Sequence, residues 1–183
     1  MAFIVADGSN LDSANTYSSV EFADDYLSDN SLWPQAVDPS DPEYNADDEA
    51  TKLANKQLAL KQSTQGLDLM YGELFIGNQL VFQTQLLEWP RTFYQYGTIP
   101  TLLRKATAEF AVDIYNGGSM IREMNTLIQV SERSVEGAGF KKQEKYRDSS
   151  ITEYRQGMLK VELLLRKLTN DLEDNFTPPY LGR

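Results

Sequence analysis

Residues 140–147 combine cations with aromatic rings and form the clearest cluster of chemically capable side chains. The members are Phe140, Lys141, Lys142, Lys145, Tyr146 and Arg147. Rings that alternate with cations can stack on the bases of a single strand, each base contributing roughly 1 to 3 kcal/mol. Because only four cations are present, with Glu144 among them, the cluster can equally attract an acidic protein surface, including that of a neighbouring copy. Nucleic-acid binding, protein contact and a solvated hairpin all stay open.

A second aromatic stretch, LLEWPRTFYQYGTIP, covers residues 86–100. Pro90 disfavours helical conformation at Trp89, so the segment is predicted to be extended there. A covered aromatic side chain buries about 150 to 250 Å², and Arg91 can bind a carboxylate or a carbonyl. One cation in this stretch is too little positive charge for a nucleic-acid platform. A core brace and a protein interface, each anchored by Trp89, are equally compatible with the pattern.

The residue types that most enzymes need are missing. The chain contains no histidine and no cysteine, which excludes Ser-His and Cys-His nucleophiles, disulfides and the usual zinc ligands. The acidic, proline-rich loop at residues 34–48 does not follow the calcium-loop pattern, since Pro39 and Pro42 interrupt it and Glu43 replaces the required glycine. We therefore expect no catalysis, no cofactor and no metal.

Charge is concentrated near the start of the chain. Residues 1–50 contain twelve carboxylates and no lysine or arginine, whereas residues 51–183 contain fifteen acidic and seventeen basic side chains. Such acidity repels phosphate and argues against a protein that grips DNA, although DNA can slide past an acidic wall. No stretch approaches the roughly 20 apolar residues that span a bilayer, so we expect a soluble, unexported chain without membrane contact.

Apolar spacing predicts a mainly α-helical fold, a small bundle of about four helices. The first helix is expected over about residues 19–28 with a capping box of Ser18 and Glu21, and its solvent face includes Asp24 and Asp25. The second is expected over about residues 47–65, ending at Gly66. Its predicted apolar seam consists of Ala50, Leu53, Ala54, Gln57, Leu58 and Lys61.

Two further helices and one or two β-hairpins complete the prediction. A helix capped by Thr101 and ended by Gly117-Gly118 carries a stripe of Leu103, Ala106, Phe110 and Ile114. A final helix over about residues 152–171 carries Tyr154, Met158, Val161, Leu164, Leu165, Leu168 and Leu172. Short hairpins are expected around Gly77-Asn78 and around Gly137.

The length of 183 residues fits one domain, predicted over residues 1–175. Two consecutive prolines then favour an extended tail over residues 176–183. Its apolar side chains, which can dock on a neighbour, are Phe176, Tyr180 and Leu181. A frayed chain end is the alternative to a docked tail.

The order of these pieces resembles the head-to-tail adaptor, or head-completion, proteins of tailed bacteriophages, which are sometimes labelled DnaT-like. The resemblance covers roughly residues 14–168. It rests on ANTYSSVEFADDYLSD, KLANKQLALKQSTQGLDLMYG, QLLEWPR, IPTLLRKATAEFAVDIYNGG and QVSERSVEGAGFKKQEKY. The long acidic loop at residues 34–48 departs from the shorter connection that the family suggests.

The resemblance implies a virion protein that assembles as a ring, usually of twelve copies, beneath the portal. Such a ring extends the channel for double-stranded DNA, which passes without specific binding, and presents a platform to tail or nozzle proteins. The implied location is the head-tail interface of the virion, and the host cytoplasm during assembly. On this basis the hairpin cluster, the tail and the Trp89–Arg91 segment are the expected contacts with the portal or neighbouring subunits. The alternative is a DnaT-like replication protein that binds single-stranded DNA.

Overall fold

The computed structural model describes residues 2–81, 84–92, 98–118 and 158–169, together with the backbone of residues 133–137 and 140–144. Helix α1 covers Val20–Tyr26, α2 covers Ala46–Tyr71 and α3 covers Thr101–Tyr115. A short 3-10 helix, Gly72–Leu74, follows α2. The described part of a fourth helix, α4, covers residues 158–165. The mainly helical fold predicted from apolar spacing is confirmed.

Helix α1 begins one residue later than the capping box predicts. Ser19 is the N-cap, and its hydroxyl accepts a hydrogen bond from the Phe22 backbone N–H at 3.2 Å. The predicted Ser18 cap is therefore wrong, because the Ser18 hydroxyl donates a hydrogen bond to the Ser19 carbonyl instead. The predicted apolar stripe of Val20, Ala23 and Leu27 is buried.

Helix α2 is longer than predicted. Asn45 caps its start by accepting from the Asp47 N–H, and acidic residues in the first turn suit the positive end of the helix dipole. Gly66 does not end the helix but lies buried inside it, and the helix continues to Tyr71. The helix therefore has 26 residues and a length of about 39 Å at 1.5 Å per residue.

Helix α3 packs along α2 and forms the centre of the core. Its predicted stripe of Leu103, Ala106, Phe110 and Ile114 is buried. The predicted Thr101 cap is wrong, because Thr101 is the first helical residue and Pro100 at the N-cap makes no side-chain cap. The predicted end is confirmed, since Gly117 has a φ of +91° that suits glycine.

The two predicted hairpins have different outcomes. Around Gly77-Asn78 the described residues contain no hairpin, since Phe75 bridges to Thr169 and Gln79 bridges to Arg91. The hairpin near Gly137 is present, because strand β1, Arg133–Gly137, pairs antiparallel with strand β2, Phe140–Glu144.

Helix α4 closes the core from the other end of the chain. The buried residues of α4 and of the turn that follows it are Val161, Leu165 and Leu168, as the spacing predicts. The predicted end at about residue 171 is wrong, because the helix ends at residue 165 and residues 166–168 form a turn. The Ile76 N–H donates to the Leu168 carbonyl at 2.9 Å, which ties this turn to the segment after α2. The remainder of the predicted final helix, including Tyr154 and Leu172, lies outside the described residues.

Candidate functional site

Arg91 lies at the centre of a buried set of hydrogen bonds. Its guanidinium donates to the carbonyls of Phe75 at 2.8 Å, Gly77 at 2.5 Å and Gly72 at 2.7 Å. It also donates to the Glu88 carbonyl at 3.0 Å and forms an ion pair with the Glu88 carboxylate. Arg91 therefore binds both a carboxylate and carbonyls, the two kinds of partner that its position after Pro90 suggests. It clamps the turn that follows α2.

Trp89 is a core residue of the protomer. Its side chain is 1% exposed, and its ring meets Phe75 edge-on, with centroids 5.6 Å apart and planes at 76°. The Trp89–Pro90 peptide bond is cis. Because neither Trp89 nor Arg91 presents its side chain to solvent, the geometry favours the brace over the interface for these two residues. The neighbouring residues 93–97 lie outside the described part of the chain.

A second polar group supports this brace from α2. The Tyr17 hydroxyl donates to Asp68 Oδ1 at 2.5 Å and accepts from the Trp89 N–H at 3.2 Å. The Glu88 N–H donates to the other Asp68 oxygen at 3.2 Å. Burial raises the pKa of Asp68 to about 7, against the lowering effect of its hydrogen bonds with Tyr17 and Glu88. Burial, reinforced by Asp68, also raises the pKa of Tyr17.

The other tryptophan, Trp33, is buried in a similar polar setting. Its indole N–H donates to Asp24 Oδ1 at 2.6 Å. Lys56, itself only 4% exposed, donates to the same oxygen at 2.7 Å and lies 5.5 Å from the Trp33 ring centroid. The prediction that Asp24 faces water is therefore wrong, because Asp24 joins α1 to α2 through the two donors. Neither tryptophan offers a ring on which a base can stack.

The predicted basic cluster lies partly in strand β2. The register pairs Lys141 with Glu136 and Lys142 with Val135, and Phe140 pairs with Gly137. Lys145, Tyr146 and Arg147 lie outside the described residues, as do Phe176, Tyr180 and Leu181 of the predicted tail. The role of these residues in protein contacts stays a prediction.

The most exposed feature of the described chain is an arm, residues 35–55. It consists of residues 35–45 of the acidic loop and the first ten residues of α2, and none of its residues is buried. The arm contains six carboxylates and one lysine, for a formal net charge of −5. Lys52 pairs with Glu49 at 2.7 Å within the arm. The arm concentrates much of the acidity of the chain on a segment that the core does not cover.

The α2 seam predicted to be buried faces solvent instead. Leu53 is 46% exposed and Leu58 is 53% exposed, and Ala50 and Ala54 are exposed beside them. These four residues, which we call the α2 stripe, follow three- and four-residue steps and so share one helix face. The buried face of α2 is a different one that consists of Lys56, Ala59, Leu60, Ser63, Thr64, Gly66, Leu67 and Tyr71.

Sequence periodicity missed the buried face because polar residues occupy it. The Ser63 hydroxyl donates to the Thr107 carbonyl of α3 at 2.9 Å, and the Thr64 hydroxyl accepts from the Tyr17 N–H at 3.2 Å. Buried polar groups that are hydrogen-bonded in this way cost little. These polar residues interrupt the apolar spacing of the buried face, so spacing alone does not distinguish it from the exposed α2 stripe.

A cleft of about 380 Å³ lies between the end of α1, helix α3 and helix α4. Its polar lining includes Glu109, which accepts from the Tyr26 hydroxyl at 2.8 Å and forms an ion pair with Lys160. Burial and this carboxylate raise the pKa of Tyr26 to about 12. Glu109 is neutralised by Lys160 and hydrogen-bonded to Tyr26, so these side chains hold α1, α3 and α4 together at the cleft.

Within the described ranges, no set of three or more acidic, histidine or cysteine side chains could hold a metal ion. No helix among those residues is long and apolar enough to cross a membrane. The acidic arm, the α2 stripe and part of α4 are exposed surfaces of the described residues.

Comparison with known proteins gives one match. The model of a family described as "Putative DnaT-like ssDNA binding protein" matches residues 1–177. No curated protein and no solved structure matches the chain. The family match spans the acidic arm and all four helices.

Proposed function

We propose, from the order of residues that resembles head-to-tail adaptors, that this chain, which belongs to the family described as "Putative DnaT-like ssDNA binding protein", is a virion structural protein of a tailed bacteriophage. In this role it forms a ring under the portal, extends the DNA channel and provides the platform for tail attachment. The residue order that resembles head-to-tail adaptors supports the proposal. The role requires no catalysis and no cofactor.

The observation that carries the proposal is the surface formed by the arm and the α2 stripe. This surface combines a net charge of −5 with leucines that are about half exposed at positions 53 and 58. Exposed leucines that share one helix face can contact another protein. A surface that is at once acidic and apolar suits contact with protein and is unsuited to gripping phosphate.

The side chains that could stack on bases also support a structural role. Trp33 and Trp89 are each 1% exposed, and Arg91 is fully engaged with main-chain carbonyls and Glu88. Stacking platforms for single strands require accessible rings beside free cations. The described residues instead present carboxylates. These repel the phosphates of duplex DNA, so DNA can slide past such a surface without being bound.

The proposal includes assembly with several partners. The chain is expected to form a homo-oligomeric ring, usually of twelve copies, that contacts the portal protein on one side and tail or nozzle proteins on the other. The protein is assembled in the host cytoplasm and remains at the head-tail interface of the virion.

The test is the composition and image of purified particles. Mass spectrometry should detect the protein in tailed particles at a copy number close to that of the portal protein. Electron microscopy should place it as a ring directly below the portal. Mature particles that contain portal protein but lack this chain would refute the proposal.

Binding of single-stranded DNA is the second candidate, since the family description names it and strand β2 carries Lys141 and Lys142. The test is the mobility of a labelled single strand at about 50 mM salt, where a binding protein shifts it and the shift weakens steeply with added salt. A shift that Lys141→Glu/Lys142→Glu abolishes would favour this candidate. An unshifted strand would reject it.

A further inference from the structure

The end of α3 carries an asparagine directly before a glycine, Asn116 before Gly117, a pair that occurs nowhere else in the sequence. Both residues are exposed. Asparagine is among the thermolabile residues. It is most labile before glycine, because a residue without a side chain lets its main-chain nitrogen approach the asparagine amide. The pair therefore has the chemistry of a deamidation site, in which a side-chain amide becomes a carboxylate.

The folded end of α3 keeps the two reacting groups apart. Asn116 has a ψ of 20°, which directs the Gly117 nitrogen away from the Asn116 side chain, whereas ring closure requires the two to be eclipsed about the Cα–C bond. The Gly117 N–H donates to the Ile114 carbonyl at 3.1 Å. The Gly118 N–H donates to the Asp113 carbonyl at 2.8 Å. Deamidation therefore requires this turn to open first, and the ends of helices open at little cost in free energy.

The Asn116 side chain also joins α3 to the segment that leads into the acidic arm. Its amide nitrogen donates to the Leu32 carbonyl at 2.9 Å and to the Val112 carbonyl at 2.7 Å. Leu32 directly precedes Trp33, whose ring lies against Tyr115 with centroids 5.6 Å apart. The amide therefore holds the main chain of this segment beside the place where the Trp33 ring packs.

We propose that Asn116 is a deamidation site that the folded end of α3 protects, and that its conversion to a carboxylate releases Leu32 from α3. A carboxylate has no N–H group, so the carbonyls of Leu32 and Val112 lose the donor that the amide provides. The new negative charge also lies at the C-terminal end of a helix, where the helix dipole disfavours it. This chemistry is independent of the proposed ring.

The reaction consumes only water. The Gly117 main-chain nitrogen forms a bond with Asn116 Cγ, the Cγ–Nδ2 bond breaks, and the proton of the Gly117 N–H leaves with Nδ2 as ammonia. Water then adds to one carbonyl of the five-membered imide and breaks one ring C–N bond, and the ring nitrogen takes up a proton. The product is aspartate or isoaspartate at position 116, and nothing is oxidised or reduced.

Peptide mass spectrometry of the full chain measures the conversion. Trypsin releases residues 106–122, which contain Asn116 as their only asparagine, so the acidic forms of this peptide report on one position. A sample that is digested without incubation gives the background. After incubation at about pH 8, the folded wild type should convert at least about tenfold more slowly than the same chain unfolded in guanidinium chloride.

Gly118→Ala loosens the turn without changing the reacting pair. A Cβ atom on Gly118 would lie 2.6 Å from the Asp113 carbonyl oxygen, so the chain must shift and the hydrogen bond between these two residues must weaken. The folded variant should therefore convert about threefold faster than the folded wild type, with circular dichroism showing that its helices are intact. Asn116→Gln is the unreactive control, because its longer side chain would have to close a six-membered imide, which forms far more slowly.

Asn116→Asp reproduces the aspartate product and tests the release of Leu32. The readout is hydrogen exchange over residues 27–35, where the Trp33 N–H donates to the Asn30 carbonyl at 3.0 Å. Exchange in this segment should be about threefold faster or more than in the wild type. Asn55→Asp is the matched control, since it adds the same charge at an exposed position of α2 and should leave the exchange over residues 27–35 unchanged.

Contrary results would overturn the proposal. Equal conversion of the folded and unfolded wild type would show that the fold does not protect Asn116, and an unfolded chain that stays unconverted would show that the pair is not a deamidation site. A folded Gly118→Ala variant that converts no faster than the wild type would show that the turn is not the barrier. Equal exchange over residues 27–35 in Asn116→Asp and Asn55→Asp would show that the conversion does not release Leu32.

Discussion

Replacement of Arg91 by lysine tests whether the buried guanidinium clamps the turn after α2. Arginine satisfies the carbonyls of Gly72, Phe75 and Gly77 at 2.5 to 2.8 Å in addition to its contacts with Glu88. A lysine ammonium keeps the charge, but its three N–H donors lie on one nitrogen, which cannot reach carbonyls arranged around the two ends of a planar guanidinium. The substitution therefore leaves at least two main-chain acceptors without their donor.

The expected cost follows from the number of acceptors that are lost. An unsatisfied buried acceptor costs about 1 to 3 kcal/mol, so two lost carbonyl partners predict a destabilisation of about 3 kcal/mol. Because a chain of this size unfolds with about 5 to 15 kcal/mol, this is a large fraction of its stability. At about 2 to 4 °C per kcal/mol, the midpoint of thermal unfolding should fall by about 10 °C.

Urea denaturation followed by circular dichroism measures this change directly. Arg104→Lys is the matched control, because the Arg104 guanidinium lies 4.0 Å over the Phe22 ring and a lysine retains this type of contact. The control should stay within about 1 kcal/mol of the wild type. If Arg91→Lys is as stable as the control, Arg91 does not clamp the turn and the argument from its carbonyl partners is refuted.

Three further predictions concern single positions. The folded-state pKa of Asp68 is about 7, well above its unfolded value of about 3.9, so the neutral acid stabilises the fold at low pH and this contribution is lost as the pH rises through 7. Lowering the pH from 7 to 5 should therefore stabilise the wild type by about 2 kcal/mol relative to Asp68→Asn, and equal pH profiles in urea titrations would refute this. Ser19→Ala should lower the free energy of unfolding by about 1 kcal/mol because the N-cap of α1 is lost. An unchanged urea midpoint would show that the Ser19 hydroxyl does not stabilise α1. Gly117→Ala should cost about 1 kcal/mol because of the +91° φ, and a thermal midpoint at or above that of the wild type would contradict the left-handed turn.

The sequence predicted those helices whose apolar residues coincide with their buried face. In α1 and α3 the stripes that include Ala23 and Phe110 are the buried ones, because both helices meet the core through aliphatic and aromatic side chains. In α4, Val161 and Leu165 follow the same rule. Helical spacing is informative wherever burial and hydrophobicity agree.

Prediction failed where distant polar partners decide the packing. Lys56 is buried because Asp24, 32 positions away, receives its ammonium. Ser63 is buried because a carbonyl of α3 accepts its hydroxyl. Such pairings involve residues that are adjacent only in the folded chain, so no local window contains them. For this reason apolar spacing predicts burial for the seam that includes Leu53, which is exposed in the structure.

The hairpin expected at Gly77 failed for a related reason. Its sequence has the turn residues of a hairpin, but Arg91 binds the carbonyls of Phe75 and Gly77 from a position 14 to 16 residues further on. The Phe75 backbone pairs with Thr169 instead of a neighbouring strand. Long-range main-chain partners therefore outcompete the local turn.

The continuity of α2 gives the protein a mechanical property. One unbroken helix of 26 residues joins the exposed first turns at Ala46 to the turn at Gly72, with no linker between them. A helix behaves as a stiff rod over this length, so a tilt of about 10° at the packed half displaces Ala46 by about 3 Å over the roughly 15 Å of the first ten residues. A displacement at the start of α2 is therefore transmitted to the turn that Arg91 holds.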